Sequence, residues 1–144
     1  MWRPEVAWTS PEAIGPDDVT YAPSKCWVVG LGHLGQGYLW CLGMLGYVTP
    51  REVELMLQDD DIVTVANEST GLLLVPGSVR NEDKRRKTRV LADVLNERGF
   101  TTTITERRLR RGQGPEGAEP RLALIGVDNA ATRSAVSDCG FDVV

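Results

Sequence analysis

The chain holds 144 residues, which suits one domain around one buried core. With 20 acidic against 16 basic residues its formal charge is -4, and that balance argues against nucleic-acid binding, which needs a basic surface. No apolar run approaches the ~20 residues of a bilayer span, and residues 1–10 lack the basic-then-apolar plan of a signal peptide, so the expectation is a cytoplasmic protein with no membrane contact.

Residues 1–24 carry Pro4, Pro11, Pro16 and Pro23 with little periodicity. They read as an irregular arm packed through Trp2 and Trp8. Residues 25–30 (K-C-W-V-V-G) form a short apolar run ending in glycine, a buried strand. Leu34, Tyr38, Cys41, Leu42 and Leu45 then recur at helical spacing up to Gly46. Residues 53–58 (V-E-L-M-L-Q) predict a second strand, stopped by Asp59, Asp60 and Asp61. The stretch 63–79 is broken by Gly71, Pro76 and Gly77. Asn81 is a candidate cap for a helix running to Arg98, with Val90, Leu91, Val94 and Leu95 on one face and Gly99 as its stop.

Residues 101–109 begin with β-branched side chains and predict a third strand. Residues 110–120 form a glycine- and charge-rich loop, and residues 121–127 (R-L-A-L-I-G-V) a fourth strand. Ala131, Ala135, Val136 and Cys139 mark a further helix ended by Gly140. Residues 141–144 look like the opening of a fifth strand. This order implies right-handed crossovers. The fold class is α/β, a Rossmann-like three-layer αβα sandwich with a mostly parallel sheet, covering residues 25–144. The three cysteines form no C-x-x-C pair, so each is expected to be a small buried thiol.

Three features point to chemistry. The first is Gly30-Leu31-Gly32-His33-Leu34-Gly35, a G-x-G-x-x-G loop directly after a strand and directly opening a helix. The first glycine permits a tight turn, the second lets phosphate approach the backbone, and the third lets helix and strand pack closely. Free N–H groups and the helix dipole favour an anion there. The second is the acidic end of strand two, where a carboxylate such as Asp59 can accept from ribose hydroxyls. The third is Asp128-Asn129 at the end of strand four. Asp128 is placed to hold Mg²⁺ on a triphosphate, or the pair simply caps a helix.

The glycine loop, D-D-D-I-V-T-V-A-N (59–67), K-T-R-V-L-A-D-V-L-N (87–96) and D-N-A-A-T-R (128–133) occur in that order. Together they resemble the adenylation domain of the ThiF/MoeB/HesA superfamily, relatives of ubiquitin-activating enzymes. That family's pattern is a glycine loop, D-x-D-x-V-x-x-S-N-L-x-R-Q, a lysine opening a helix, and D-N-x-x-T-R.

The resemblance implies ATP and Mg²⁺ as ligands, and activation of a carboxylate as an acyl adenylate. That carboxylate is often the C-terminus of a ubiquitin-like or sulfur-carrier protein, and the family often forms homodimers. It implies phosphate contacts at Gly30, Gly32, His33, Leu34 and Gly35, and a ribose contact at Asp59. Asp61 and Asn67 match the second aspartate and the asparagine of the same motif. Lys87 matches the phosphate lysine, with Lys84 a rival because the gap after Asn67 is long if Lys87 fills the role. Asp128 matches the aspartate near Mg²⁺ and the α-phosphate, beside Asn129. Lys87 and Asp128 are thus the expected catalytic pair, and Arg133 is expected to support the helix start.

The sequence departs from the pattern where the family has Arg-Gln and this chain has Thr70-Gly71. Losing that arginine should weaken adenylation, unless Arg80 or Arg3 replaces it. Val144 stops short of the region where many relatives carry a catalytic cysteine or paired C-x-x-C zinc ligands. His33 either touches phosphate or fills a tolerant position, and binding through backbone N–H groups favours the second. Residues 107–111 read as a solvated basic loop. Two other readings stand beside adenylation. An NAD-binding oxidoreductase domain would use the same loop and Asp59. A non-catalytic family member would bind nucleotide or a protein partner only.

Overall fold

The computed structural model describes residues 23–74, 85–142 and 144. β1 (Lys25–Val29) leads into α1 (His33–Met44), and a 3₁₀ turn at Pro50–Glu52 precedes β2 (Glu54–Gln58). A short α2 (Val65–Thr70) and then α3 (Lys87–Glu97) follow. β3 (Thr101–Thr105), β4 (Ala123–Ile125) and α4 (Ala130–Val136) complete the order. The four strands pair in the order β3-β2-β1-β4, all parallel.

β1 reads as one continuous apolar run because both of its faces are buried. Cys26 and Val28 point to one side, among Leu39, Leu42, Leu91 and Leu95 of α1 and α3. Trp27 and Val29 point to the other, with Met56, Leu109, Val136 and Cys139. This alternation makes the three layers. Phe141 closes the second core edge-on against Trp27, with ring centroids 5.2 Å apart.

Val29 pairs with Gln58 and with Ile125, and Gln58 pairs with Thr105. The carboxyl ends of all four strands therefore lie in one row. The order reverses between β1 and β4, on either side of which the connections diverge. That crevice is where open parallel sheets receive ligands.

Several expectations shift. α2 was not legible as a helix; Thr64 and Asn67 start it, with Asn67 Oδ1 accepting from the Thr64 N–H at 2.9 Å and from its hydroxyl at 3.0 Å. α3 opens at Lys87 and not at residue 81, because Arg86 is held extended in a bridge to Ile62; Asn81, the expected cap, lies outside the described residues, as do Lys84, Arg80 and Arg3. β3 ends at Thr105, where Glu106 turns out to bind Arg89. Phe141 and Asp142 form no strand; a single backbone bond joins Asp142 N–H to Arg121 O at 3.0 Å. Cys41 corrects the expectation of three buried thiols, since it lies on the outer arc of α1 and is exposed, whereas Cys26 and Cys139 are buried. Burial raises the Cys26 thiol to about 11. No helix among the described residues is long and apolar enough to cross a membrane.

Two outcomes follow from this packing. Leu91 is fully buried, so Leu91→Ala should lower unfolding free energy in urea by about 2–5 kcal/mol, whereas Ile104→Thr on the exposed edge strand should change it by about 0.5 kcal/mol or less. Thiol-reactive probes at neutral pH should modify Cys41 in the native state long before Cys26, and peptide mapping after a brief pulse checks the order.

Candidate functional site

The site begins where β1 ends. Gly30 adopts φ +83°, which only glycine takes freely, and its N–H bonds Gln58 O at 2.8 Å. The chain then reverses through Leu31 and Gly32 into α1. A Cβ on Gly35 would lie 1.9 Å from Gly30 O, so helix and strand touch backbone to backbone. A Cβ on Gly32 would meet nothing within 4 Å, which leaves open space beside the loop. No side chain caps α1, so the uncapped start of the helix offers N–H groups to an anion.

Acidic residues arrive from β2. Asp59 Oδ2 accepts from the Leu31 N–H at 2.6 Å and Oδ1 from the Asp61 N–H at 2.7 Å. This ties the carboxylate to the glycine loop. Asp60 pairs with Arg108 at 2.8 Å and Asp61 with Lys87 Nζ at 2.8 Å. The three carboxylates offer oxygens within 4.8 Å of one another.

Lys87 sits at the first position of α3, is 7% exposed and also donates its N–H to Asp61 O at 3.1 Å. A cation at a helix start opposes the dipole, and Asp61 offsets it. Glu106 secures the same helix start by accepting from Arg89 Nε at 2.8 Å and from Thr88 Oγ1 at 3.2 Å. The bond from Arg89 holds the Glu106 carboxyl below the usual carboxylate range.

Beyond β4, Asp128 is exposed and makes no hydrogen bond or ion pair among the described residues. Asn129 caps α4, its Oδ1 accepting from the N–H groups of Ala131 at 2.8 Å and Thr132 at 3.2 Å. Arg133 Nε donates to Val127 O at 2.8 Å, supporting the turn before the helix.

These elements enclose a cleft of about 460 Å³. Gly30, Gly32, His33, Leu34, Asp59, Asp61, Lys87, Asp128 and Asn129 all line it. Gly35 sits behind the lining, buried against β1. Asn67 lies outside the lining and spends its amide oxygen at the start of α2. His33 Nδ1 bonds the Thr70 carbonyl, which ties the loop to the end of α2.

Sequence reasoning missed Arg107 and Arg108, which line the cleft although residues 107–111 read as a solvated loop. The available signal was their position just beyond the carboxyl end of a parallel strand. Arg107's guanidinium has no bond among the described residues. Its backbone carbonyl is held by Gln58 Nε2 at 3.0 Å. What the cleft offers chemically is the uncapped N–H groups of a helix start, a buried lysine, a carboxylate held by backbone N–H groups and, among the described residues, one unpaired carboxylate.

Comparison with known proteins agrees with this geometry. The family described as "BilD C-terminal domain" matches residues 22–144. "Bacterial E1-like protein BilD" of Collimonas sp. (strain OK412) is 41% identical over all of this chain, which spans 30% of that protein's length. Among solved structures, E. coli tRNA N6-threonylcarbamoyladenosine dehydratase TcdA with AMP superposes with a TM-score of 0.60 at 17% identity, covering 78% of this chain and 44% of that one. E. coli MccB with ATP does so with a TM-score of 0.58 at 19% identity, covering 74% and 30%. Those two likenesses bear on the fold, and the family match on descent: the chain belongs to the BilD C-terminal domain family, within the ThiF-like superfamily.

Proposed function

We propose that this domain binds ATP in the cleft and activates a carboxylate as an acyl adenylate. The carrying observation is convergence: the glycine loop after β1, Asp59 after β2, Lys87 at the start of α3 and Asp128 after β4 line one cleft. The E1-like relative and the structures of TcdA and MccB with ATP support a nucleoside triphosphate over a dinucleotide.

In this reading the triphosphate lies along the Gly30–Gly35 loop and the start of α1, with the ribose at Asp59. One oxygen of the incoming carboxylate attacks the α-phosphorus. The bond from that phosphorus to the oxygen bridging the β-phosphate breaks, and pyrophosphate leaves with the electron pair. Lys87 neutralises charge that grows on the phosphates, and the preformed N–H groups do so without reorganising. Mg²⁺ fits the donor chemistry of Asp128, whose carboxylate is exposed and unpaired among the described residues; when bound it would supply further neutralisation of the phosphates.

The carboxylate is proposed to be the C-terminus of a ubiquitin-like or sulfur-carrier protein, and the domain to act as a homodimer. Both follow from the family resemblance. A second reading, nucleotide binding without turnover, is favoured by Thr70, which puts a neutral side chain, its hydroxyl donating to Ala66 O at 3.2 Å, where the family pattern has arginine.

Calorimetric titration of the purified chain with ATP and Mg²⁺, with ATP–pyrophosphate exchange in the presence of candidate carrier proteins, tests the proposal. ATP should bind, and Lys87→Met should weaken it by about ten- to a hundredfold, the worth of a charged hydrogen bond. Asp128→Asn should abolish exchange. Binding without exchange for any partner selects the second reading. Absence of ATP binding refutes the proposal, and NADH fluorescence enhancement unaffected by ATP would assign the cleft to a dinucleotide.

A further inference from the structure

Gln36 is a buried polar residue that the cleft chemistry leaves unexplained. It is 2% exposed, on α1 just past the glycine loop. Its Nε2 donates to Leu31 O at 3.2 Å and its Oε1 accepts from the Leu73 N–H at 3.1 Å. One carboxamide thus joins the glycine loop to the backbone just beyond α2. Leu73 is itself buried, so without Gln36 its N–H would lose its partner away from water.

Gly71 is what makes room for this. A Cβ there would lie 2.7 Å from Gln36 Oε1, 3.2 Å from its Nε2 and 2.7 Å from Asn67 O. The φ of Gly71 is -86°, ordinary for any residue. Space alone therefore explains the glycine, and much of that space is taken by the Gln36 carboxamide. His33 adds a second tie to the same segment through Nδ1 and the Thr70 carbonyl. A carbonyl only accepts, so Nδ1 carries the proton in that bond.

Position 71 is also where the family pattern has the glutamine of Arg-Gln. We propose that Gln36 supplies from α1 the carboxamide that the pattern carries at position 71, and is the positioning residue that seats residues 70–73 against the glycine loop. The exchange is reciprocal: a long carboxamide at position 36 requires glycine at 71, and a side chain at 71 requires a small residue at 36 together with a shift of the Asn67 carbonyl. Its functional consequence rests on the nucleotide reading above, because residues 70–73 steady His33, which lines the cleft at the start of α1. Displacing them disturbs the phosphate end of the cleft more than the nucleoside end.

The test is a double-mutant cycle on the full chain with Q36A, G71Q and Q36A/G71Q. ATP and AMP affinities and thermal midpoints without nucleotide are measured. Q36A should weaken ATP about tenfold and AMP about twofold, so the ratio of the two affinities moves as well as stability. G71Q alone should be at least as damaged, through the clash. The double variant, in which only the Asn67 carbonyl is left to yield, should bind ATP more tightly than either single variant.

A double variant that binds ATP no better than Q36A overturns the exchange, and so does one that fails to fold. An unchanged ATP-to-AMP ratio in Q36A refutes the positioning role. If the parent chain binds no ATP, the nucleotide reading fails and the midpoints decide the exchange alone. A double variant melting above Q36A upholds it, and one melting no higher overturns it.

Discussion

The contact on which the rest of this structure depends is the one between Gly35 and the carbonyl of Gly30. A methyl group at Gly35 would penetrate that oxygen, at 1.9 Å. Gly126, just past β4, presses on the same carbonyl, with a would-be Cβ at 2.7 Å. Three backbones meet there with no side chain between them. This closeness sets the start of α1 directly on the end of β1 and puts the Leu31 N–H within reach of Asp59. Because the strands end in one row, the segments after β1, β2, β3 and β4 all rise around that point. The cleft is a consequence of register plus missing side chains.

The charges around the cleft obey a second constraint. Asp59, Asp60 and Asp61 crowd together, and like charges at such spacing repel unless each has its own partner. Each has one: backbone N–H groups for Asp59, Arg108 for Asp60 and Lys87 for Asp61. Pairs this exposed contribute little stability. Their effect is on position, since Lys87 is nearly buried and cannot be left without an anion. Pairing along β2 leaves Asp128 and Arg107 as the cleft's unengaged charged side chains among the described residues.

What the sequence made legible was whatever is local or periodic. The glycine loop's place between a strand and a helix, the alternation within Trp27–Val29 and the face of α3 at Val90, Leu91 and Leu95 all follow from spacing over a few residues. The order of the motifs, read through the family resemblance, brings Asp59, Lys87 and Asp128 together, and all three line the cleft. What stayed hidden is set by residues distant in sequence. α2 has no apolar stripe, Val65 is exposed, and a two-residue cap starts it. Arg86 is held out of α3 by a bridge to Ile62. Arg107 and Arg108 join the cleft because β3 stops early, and a basic loop carries no mark of that. Gln36 sits on a helix face that periodicity alone would assign to the core, and its partners are 5 and 37 residues away.

Two buried glutamines fix the segments around the glycine loop, and their neutrality matters. Gln58 accepts from Trp27 Nε1 at 3.0 Å and donates to Arg107 O at 3.0 Å, fixing the loop after β3. Gln36 fixes the segment after α2 in the same manner from the opposite side of the glycine loop. A carboxamide has donors and an acceptor in one group, so it can bridge two backbone segments at once. When satisfied, it carries little of the penalty that an orphaned polar group would bring. It also adds no charge. Had a carboxylate stood at either place, it would repel an anion at the start of α1. Neutral staples let the loops be held firmly while the field inside the cleft is set by the glycine-loop amides, Lys87 and the aspartates alone. At positions 70–73, where the family pattern opens with Arg-Gln, the segment is held by neutral groups alone, through the Thr70 carbonyl and the Gln36 carboxamide.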